Sequence, residues 1–223
     1  MEFAPPGRFT RRGLLQGALA AFTGAGSPGC TPDRLPDYQN IVATHSRFLS
    51  GTTALLYSNL QRTLGAVEDE KGNAWAVSTR LNYTGPSAFP RIWASYDRGF
   101  LTPLRNSSLW IRSSAGRAFG NSADPFSNFY FGGFGNNWVD KGDFSRYREY
   151  YSFPGTRINA IGGRDFAKTM LEWNLPPVRF RAAGGTALYF NWARLSLFSG
   201  ALAANREGYA DAGAQLDLHF PRA

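Results

Sequence analysis

Cysteine and histidine are almost missing from this 223-residue sequence, which has one cysteine, Cys30, and two histidines, His45 and His219. A single cysteine excludes an intramolecular disulfide and any Cys-x-x-Cys metal site. The two histidines show no HExxH or other paired spacing, and no G-x-S-x-G hydrolase elbow is present. We therefore interpret His45 as a histidine in a hydrated polar environment and not as a catalytic residue. We expect no enzyme activity, no metal and no cofactor.

Long apolar runs are also missing, because no stretch after Gly24 approaches the roughly 18 apolar residues of a spanning helix. If the protein lies in a membrane, we expect it to cross as strands. Charged residues make up only 18% of the chain, whereas aromatic residues make up 15% and glycines number 25. This composition is poor for a soluble α/β enzyme and suits a barrel with aromatic girdles, a polar interior and Gly-rich turns.

The net charge of +8 comes mostly from arginine, since Lys71, Lys141 and Lys168 are the only lysines. The arginines are scattered singly and form no cluster beyond Arg11-Arg12, so nucleic-acid binding is not expected. Arginines at alternating strand positions can instead line the interior of a barrel or contact anionic lipid head groups.

Two segments alternate strictly between apolar and polar residues. Ala210–Phe220 places Leu216, Leu218 and Phe220 on one face, and 74–83 places Trp75, Val77 and Leu81 on one face. Successive strand residues point to opposite sides, so each segment forms a ribbon with an apolar face and a polar face. A soluble sandwich buries such an apolar face, whereas an outer-membrane barrel turns it towards lipid.

Further strand-like segments follow one another with direct turns, which predicts an all-β, antiparallel meander because parallel strands need longer crossovers. We expect a transmembrane β-barrel of about 8–10 strands, either complete or incomplete, with residues 120–163 too irregular for plain strands. The predicted strands cover 40–50, 53–64, 74–83, 91–100, 107–119, 165–175, 178–182, 187–199 and 208–220.

The N-terminus is predicted to be an export leader and linker over residues 1–39, ahead of a barrel domain over 40–223. Arg11-Arg12 resemble a twin-arginine signal, and the segment from Leu14 to Ala25 is a short apolar region. Cys30 follows a weak lipoprotein-type box. Two alternatives stay open: a short unstructured or helical N-terminus, and a leader that belongs to a miscalled start, because twin-arginine export carries folded cargo.

Several motifs between 131 and 180 resemble the C-terminal part of bacterial surface-antigen barrels, in the superfamily of outer-membrane assembly factors and two-partner secretion transporters. The stretches that carry this resemblance are FGGFGNNWVD (131–140), YREYYSFPG (147–155) and MLEWNLPPVRF (170–180). The similarity is closest to the barrel-like tail after Tol-type β-propellers in large envelope proteins. It implies an outer-membrane location and a fused or separate β-propeller partner.

The resemblance also implies structural roles for particular residues. Gly132-Gly133 and Gly162-Gly163 match the Gly-Gly strand that precedes a long inward-folded loop, and Glu172 with Leu175-Pro176 matches the later strand. The loop's Arg-Gly-aromatic motif is absent here, or its arginine has moved to Arg148 or Arg157.

Glu172 lies between Leu171 and Trp173, so a lipid-facing Leu171 turns the carboxylate inward. An unpaired buried charge is costly, and we expect Glu172 to pair with Arg148, Arg157 or Arg164 and lock the loop to the wall. The alternative is a hydrated interior carboxylate.

The C-terminal strand, with Leu216, Leu218 and Phe220, resembles the signal that barrel-assembly machinery recognises. Either the barrel closes on this strand or the chain is a piece of a longer protein. The predicted function is a non-catalytic outer-membrane component of assembly or transport that contacts outer-membrane lipid. The alternatives are a soluble periplasmic all-β binding domain and a lipid-modifying barrel enzyme.

Overall fold

The protein is all-β, with eleven strands and no α-helix in the residues that the structure describes. The computed structural model describes residues 14–25, 47–84, 87–120, 127–134, 145–184 and 189–220. The strands are β1 (Leu14–Ala25), β2 (Arg47–Gln61), β3 (Lys71–Tyr83), β4 (Ala88–Leu101), β5 (Ser108–Ala118), β6 (Phe129–Phe131), β7 (Ile161–Gly163), β8 (Asp165–Asn174), β9 (Val178–Gly184), β10 (Tyr189–Ala204) and β11 (Glu207–His219).

Nine strands form one curled antiparallel sheet in the order β1-β2-β3-β4-β5-β8-β10-β11, with β9 also paired to β10. β8 and β9 pair with successive parts of the same edge of β10, from Ser196↔Asn174 to Ala193↔Val178. They therefore form one long strand interrupted at Pro176-Pro177, where proline cannot donate to the ladder. When β8 and β9 are counted as one interrupted strand, the sheet is an antiparallel meander of eight strands. The hairpin spacing of the sequence predicts such a meander.

The two faces of this sheet differ in polarity. Along β8 the even positions are buried and the odd ones exposed, which turns Leu171 and Trp173 outward and Glu172 inward. β11 and the middle of β4 alternate between exposed and partly buried positions. On β3 and β11, Val77, Leu81, Leu216 and Leu218 are 37%, 48%, 62% and 45% exposed. The convex face is thus apolar and exposed, and the concave face carries the charged and hydroxyl side chains.

The described parts of the long connection between β5 and β8, residues 119–120, 127–134 and 145–164, fold back onto the concave face; we call them the inward loop. Its short strands β6 and β7 pair with each other, and Gly133 bridges Phe153. Its aromatic side chains pack against sheet residues in one apolar cluster, made of Ala118, Phe129, Phe131, Phe153, Ile161, Phe166, Leu202 and Ala204. This burial orders a segment that the sequence predicts only as irregular.

The predicted break between 40–50 and 53–64 is absent, because β2 runs through Gly51-Thr52 and pairs with β3 from Leu49↔Tyr83 to Gln61↔Lys71. The apolar stretch of the predicted leader forms edge strand β1, which pairs with β2 from Leu14↔Ser58 to Ala25↔Arg47. Residues 26–46, with Cys30 and His45, lie outside the described part, as do Arg11 and Arg12.

Candidate functional site

The candidate site is the charged interior of the curled sheet, centred on Glu172 of β8. Its side chain is fully buried. Arg112 of β5 donates from Nε to Glu172 Oε2 at 2.7 Å, and Arg148 of the inward loop donates from Nη2 to Oε1 at 2.5 Å. Tyr147 also donates its hydroxyl to Oε1 at 3.1 Å. The carboxylate therefore joins the sheet wall to the inward loop.

A 3₁₀ turn over Arg146–Arg148 aims the loop residues at this carboxylate. Tyr147 is buried, and its ring stacks on Phe198 of β10 with centroids 4.3 Å apart and an interplanar angle of 9°. This stacking fixes the turn against the wall, because offset aromatic pairs are worth about 0.5–1.5 kcal/mol beyond their buried area. Arg148 follows directly in the chain and is held within reach of Glu172.

The ion pairs continue on both sides of Glu172 and form an interior charge network. Arg112 also pairs with an acid on β4, and Arg148 pairs with the β2–β3 turn, whose Glu68 reaches Arg194 of β10. Each of these four contacts beyond Glu172 is 2.8–2.9 Å long: Asp97–Arg112, Arg148–Glu68, Glu68–Arg194 and Arg194–Asp217. The network links β4, β5, β8, β10 and β11 to both the inward loop and the β2–β3 turn.

Electrostatic interactions keep Glu68 of the β2–β3 turn, and Tyr147 and Arg148 of the inward loop, each in one protonation state. Burial alone would raise the pKa of Glu68, but the guanidinium of Arg148 and the hydrogen bond from Arg194 hold that pKa below its ordinary value. Burial raises the pKa of Tyr147 to about 12, so its hydroxyl remains a donor to Glu172. Burial opposes the charge of Arg148, but Glu172 and then Glu68 raise its pKa above the ordinary value.

Acid should weaken the ion pairs that Glu68 makes with Arg148 and Arg194. Because its pKa is lower in the folded state, its stabilisation is present above the unfolded-state pKa and is lost as pH falls through the folded value. We expect the melting temperature of the wild type to exceed that of Glu68→Gln at pH 7, with the difference shrinking below about pH 4. A pH-independent difference between the two proteins would contradict the role given to this carboxylate.

Lys168 of β8 provides a second anchor for the inward loop. Its Nζ donates to the backbone carbonyl of Glu149 at 2.7 Å and to that of Ser152. These bonds satisfy a buried ammonium with loop carbonyls, which compensates for part of the cost of burying it. The loop is thus bound to β8 at two inward positions, four residues apart.

The glycines predicted from the motifs lie at close approaches within the inward loop. Gly132 has φ +142, and a Cβ there would lie 2.0 Å from the carbonyl oxygen of Arg157. Gly133 has φ +55, and its carbonyl accepts from the backbone N–H of Phe153 at 2.9 Å. Gly162 and Gly163 form part of β7.

Gly132→Ala should destabilise the protein by at least about 1–3 kcal/mol, the usual cost of a side chain forced into a Gly-only backbone conformation. The matched control is Gly51→Ala, since nothing lies within 4 Å of a Cβ at that position. Thermal unfolding of both variants measures the difference. Equal stability of the two variants would show that the inward loop is not packed as described.

Of the three arginines predicted as partners of Glu172, the structure places Arg148 beside it. Arg157 is exposed, and Arg164 donates to the backbone carbonyls of Ala118 and Gly120. Seven further residues of the site were not singled out as partners from the sequence: Glu68, Asp97, Arg112, Tyr147, Lys168, Arg194 and Asp217. Inward alternation along the strands could have identified all but Glu68 and Tyr147, which lie in turns.

The one histidine among the described residues is His219, at the end of β11. His219 is exposed and stacks on Trp192, with Nδ1 2.9 Å from Asn191 Oδ1. No group of three or more histidine, cysteine, aspartate or glutamate side chains is placed to hold a metal ion there. No helix in that part is long and apolar enough to cross a membrane.

Comparison with known proteins gives no relative from which a role could be transferred. The chain matches no protein-family model, no curated protein and no solved structure.

Proposed function

We propose that this protein is an outer-membrane β-barrel of the surface-antigen type, in which the inward loop is locked inside the barrel by the Glu172–Arg148 ion pair. It acts as a non-catalytic membrane component of assembly or transport. Outer-membrane lipid contacts its convex face, and the barrel-assembly machinery inserts it during biogenesis. A β-propeller is its fused or separate partner.

The observation that carries the proposal is the inverted polarity of the sheet. Large apolar side chains such as Leu81, Leu171 and Leu216 are exposed on the convex face, while Glu172, Lys168 and Arg194 are buried on the concave face. Soluble proteins rarely expose apolar patches beyond a few hundred Å². Outer-membrane barrels alternate apolar-out and polar-in along every strand, which is the arrangement described above.

Strand length and the position of aromatic residues support the same proposal. β3, β4, β5, β8 and β11 contain 10–14 residues, and about 9–11 tilted residues span a bilayer. Outward aromatics lie near both ends of the strands: Tyr83 and Phe119 at the end where the inward loop leaves, and Phe100, Trp173 and Phe220 at the opposite end. Aromatic girdles at both interfaces are typical of membrane barrels.

The contact between Glu68 and Arg194 supports closure of the curled sheet. Glu68 follows β2 near one edge of the sheet, and Arg194 belongs to β10 beside the other edge strand. Their 2.9 Å ion pair requires the sheet to curve until these parts face each other. We propose that β1 and β11 complete the wall of an eight-stranded barrel, in which β8 and β9 count as one strand.

The proposal is tested by the migration of unboiled and boiled protein from membrane fractions in detergent gels. A folded barrel is expected to resist carbonate extraction and to migrate differently before and after heating. A chain that is extracted by carbonate and shows one band in both states would defeat the membrane proposal. That result would favour the alternative of a soluble periplasmic all-β domain.

A further inference from the structure

A polar cavity of about 650 Å³ lies between the concave face of β4 and β5 and the inward loop. This is within the range of about 300–1,000 Å³ that small-molecule sites occupy. Its floor is a ladder of inward side chains on two neighbouring strands. Asp97 lies opposite Arg112, Ser95 opposite Ser114, and Trp93 opposite Gly116.

The charges around the cavity balance and are largely committed to each other. Four basic and four acidic residues line it. Asp97 is paired with Arg112 at 2.8 Å and Glu68 with Arg148 at 2.9 Å, while Lys168 donates to two backbone carbonyls. A charged ligand would have to displace these pairs, which are costly to separate once they are partly buried. A neutral polar ligand leaves them intact.

Among the described residues, two serines and a tryptophan supply the uncommitted polar groups of the cavity. Ser95, Ser114 and Trp93 line the cavity, and no hydrogen bond joins their side chains to another described residue. Ser95 and Ser114 are directly opposite in register, so their Cβ atoms are about 4.5–5.5 Å apart. Two hydroxyls at this spacing can each donate and accept, which matches the paired hydroxyls of a sugar ring.

Aromatic rings complete this wall beside the hydroxyl pair. Trp93 and Tyr150 both line the cavity, with ring centroids 5.8 Å apart. The negative face of an aromatic ring attracts the weakly positive C–H groups on the apolar face of a sugar. From the balanced charge, the uncommitted hydroxyls and the adjoining indole, we infer that the interior cavity binds a neutral carbohydrate, either as a free glycan or as the sugar head group of a glycolipid.

Calorimetric titration of the full chain in amine-oxide micelles, which contain no sugar, tests this inference. Maltose is the neutral probe, and glucuronate and glucosamine are its anionic and cationic comparators. We expect saturable maltose binding that is tighter than that of either charged sugar. Dodecyl maltoside distinguishes the two sources: equal affinity points to a free glycan, and tighter binding points to a glycolipid head group.

Ser95→Ala and Ser114→Ala should each weaken maltose binding about fivefold, because a neutral hydrogen bond contributes about 1 kcal/mol. The control is Ser199→Ala, which removes an exposed hydroxyl from the convex face. No maltose binding up to about 10 mM, tighter binding of a charged sugar, or an equal loss with Ser199→Ala would each overturn the inference. Gel migration of each variant is read separately, so loss of the sugar site is distinguishable from failure of the barrel proposal.

Discussion

Glu172→Gln is expected to destabilise the protein by about 3–5 kcal/mol, the usual cost of breaking a buried ion pair by removing one partner. The substitution leaves Arg112 and Arg148 facing a neutral amide in the interior. We also expect faster tryptic cleavage of the inward loop after Arg157, since the loop loses its attachment to β8. Denaturant unfolding and limited proteolysis measure the two effects.

The matched control for Glu172→Gln is Asp165→Asn on the same strand. Asp165 pairs with Arg117 at 3.3 Å, but both side chains are more than 60% exposed. Exposed pairs contribute only about 0–1 kcal/mol, so this variant should unfold almost as the wild type does. If Glu172→Gln is no less stable than Asp165→Asn and its inward loop is cleaved at the same rate, the carboxylate does not hold the loop.

Val77→Arg is expected to cost about 2–4 kcal/mol, the cost of a lipid-facing arginine near the bilayer midplane. Val77 lies at the middle of β3, is 37% exposed on the convex face and is flanked by Leu55 and Ala94 in register. The same substitution on an exposed face in water changes stability by only about 0.5 kcal/mol. Unfolding from lipid vesicles therefore separates the two environments.

Leu49→Arg is the depth control for this prediction. Leu49 lies near the start of β2, opposite Tyr83 and on the same face as Leu55, and is 47% exposed, so it has similar exposure to Val77 but lies at the rim. Near the interface the cost should fall to about 0–1 kcal/mol. Equal, small effects at both positions would indicate that the convex face is in water, and equal, large effects would indicate packing against protein.

The sequence predicts the sheet well because alternation is a local signal. The faces of 74–83 and 210–220 follow from their residues alone, as does the break at Pro176-Pro177, where ladder donors are lost. The boundary inside β2 is wrong because Gly51 resembles a turn residue, whereas the structure pairs it with Leu81 across the ladder.

The interior site is harder to predict because it depends on contacts between distant parts of the chain. The inward orientation of Glu172 follows from the apolar residues on either side of it. Nothing local selects Arg148 over Arg157, since that choice depends on a 3₁₀ turn and on stacking of Tyr147 against Phe198. Glu68 lies in a turn without periodicity, and only the curvature of the sheet brings it to Arg194.

Site-directed spin labelling of β10 tests the central claim most directly, namely that the convex face meets lipid while the concave face is a packed polar interior. Labels are placed one at a time by Leu195→Cys, Ser196→Cys and Leu197→Cys in a Cys30→Ser background, in lipid vesicles. We predict that labels at 195 and 197 are relaxed by oxygen but not by a water-soluble nickel chelate, and that the label at 196 is accessible to neither. Nickel access at 195 and 197 equal to that at a label in the exposed turn residue Asn205 would contradict the account.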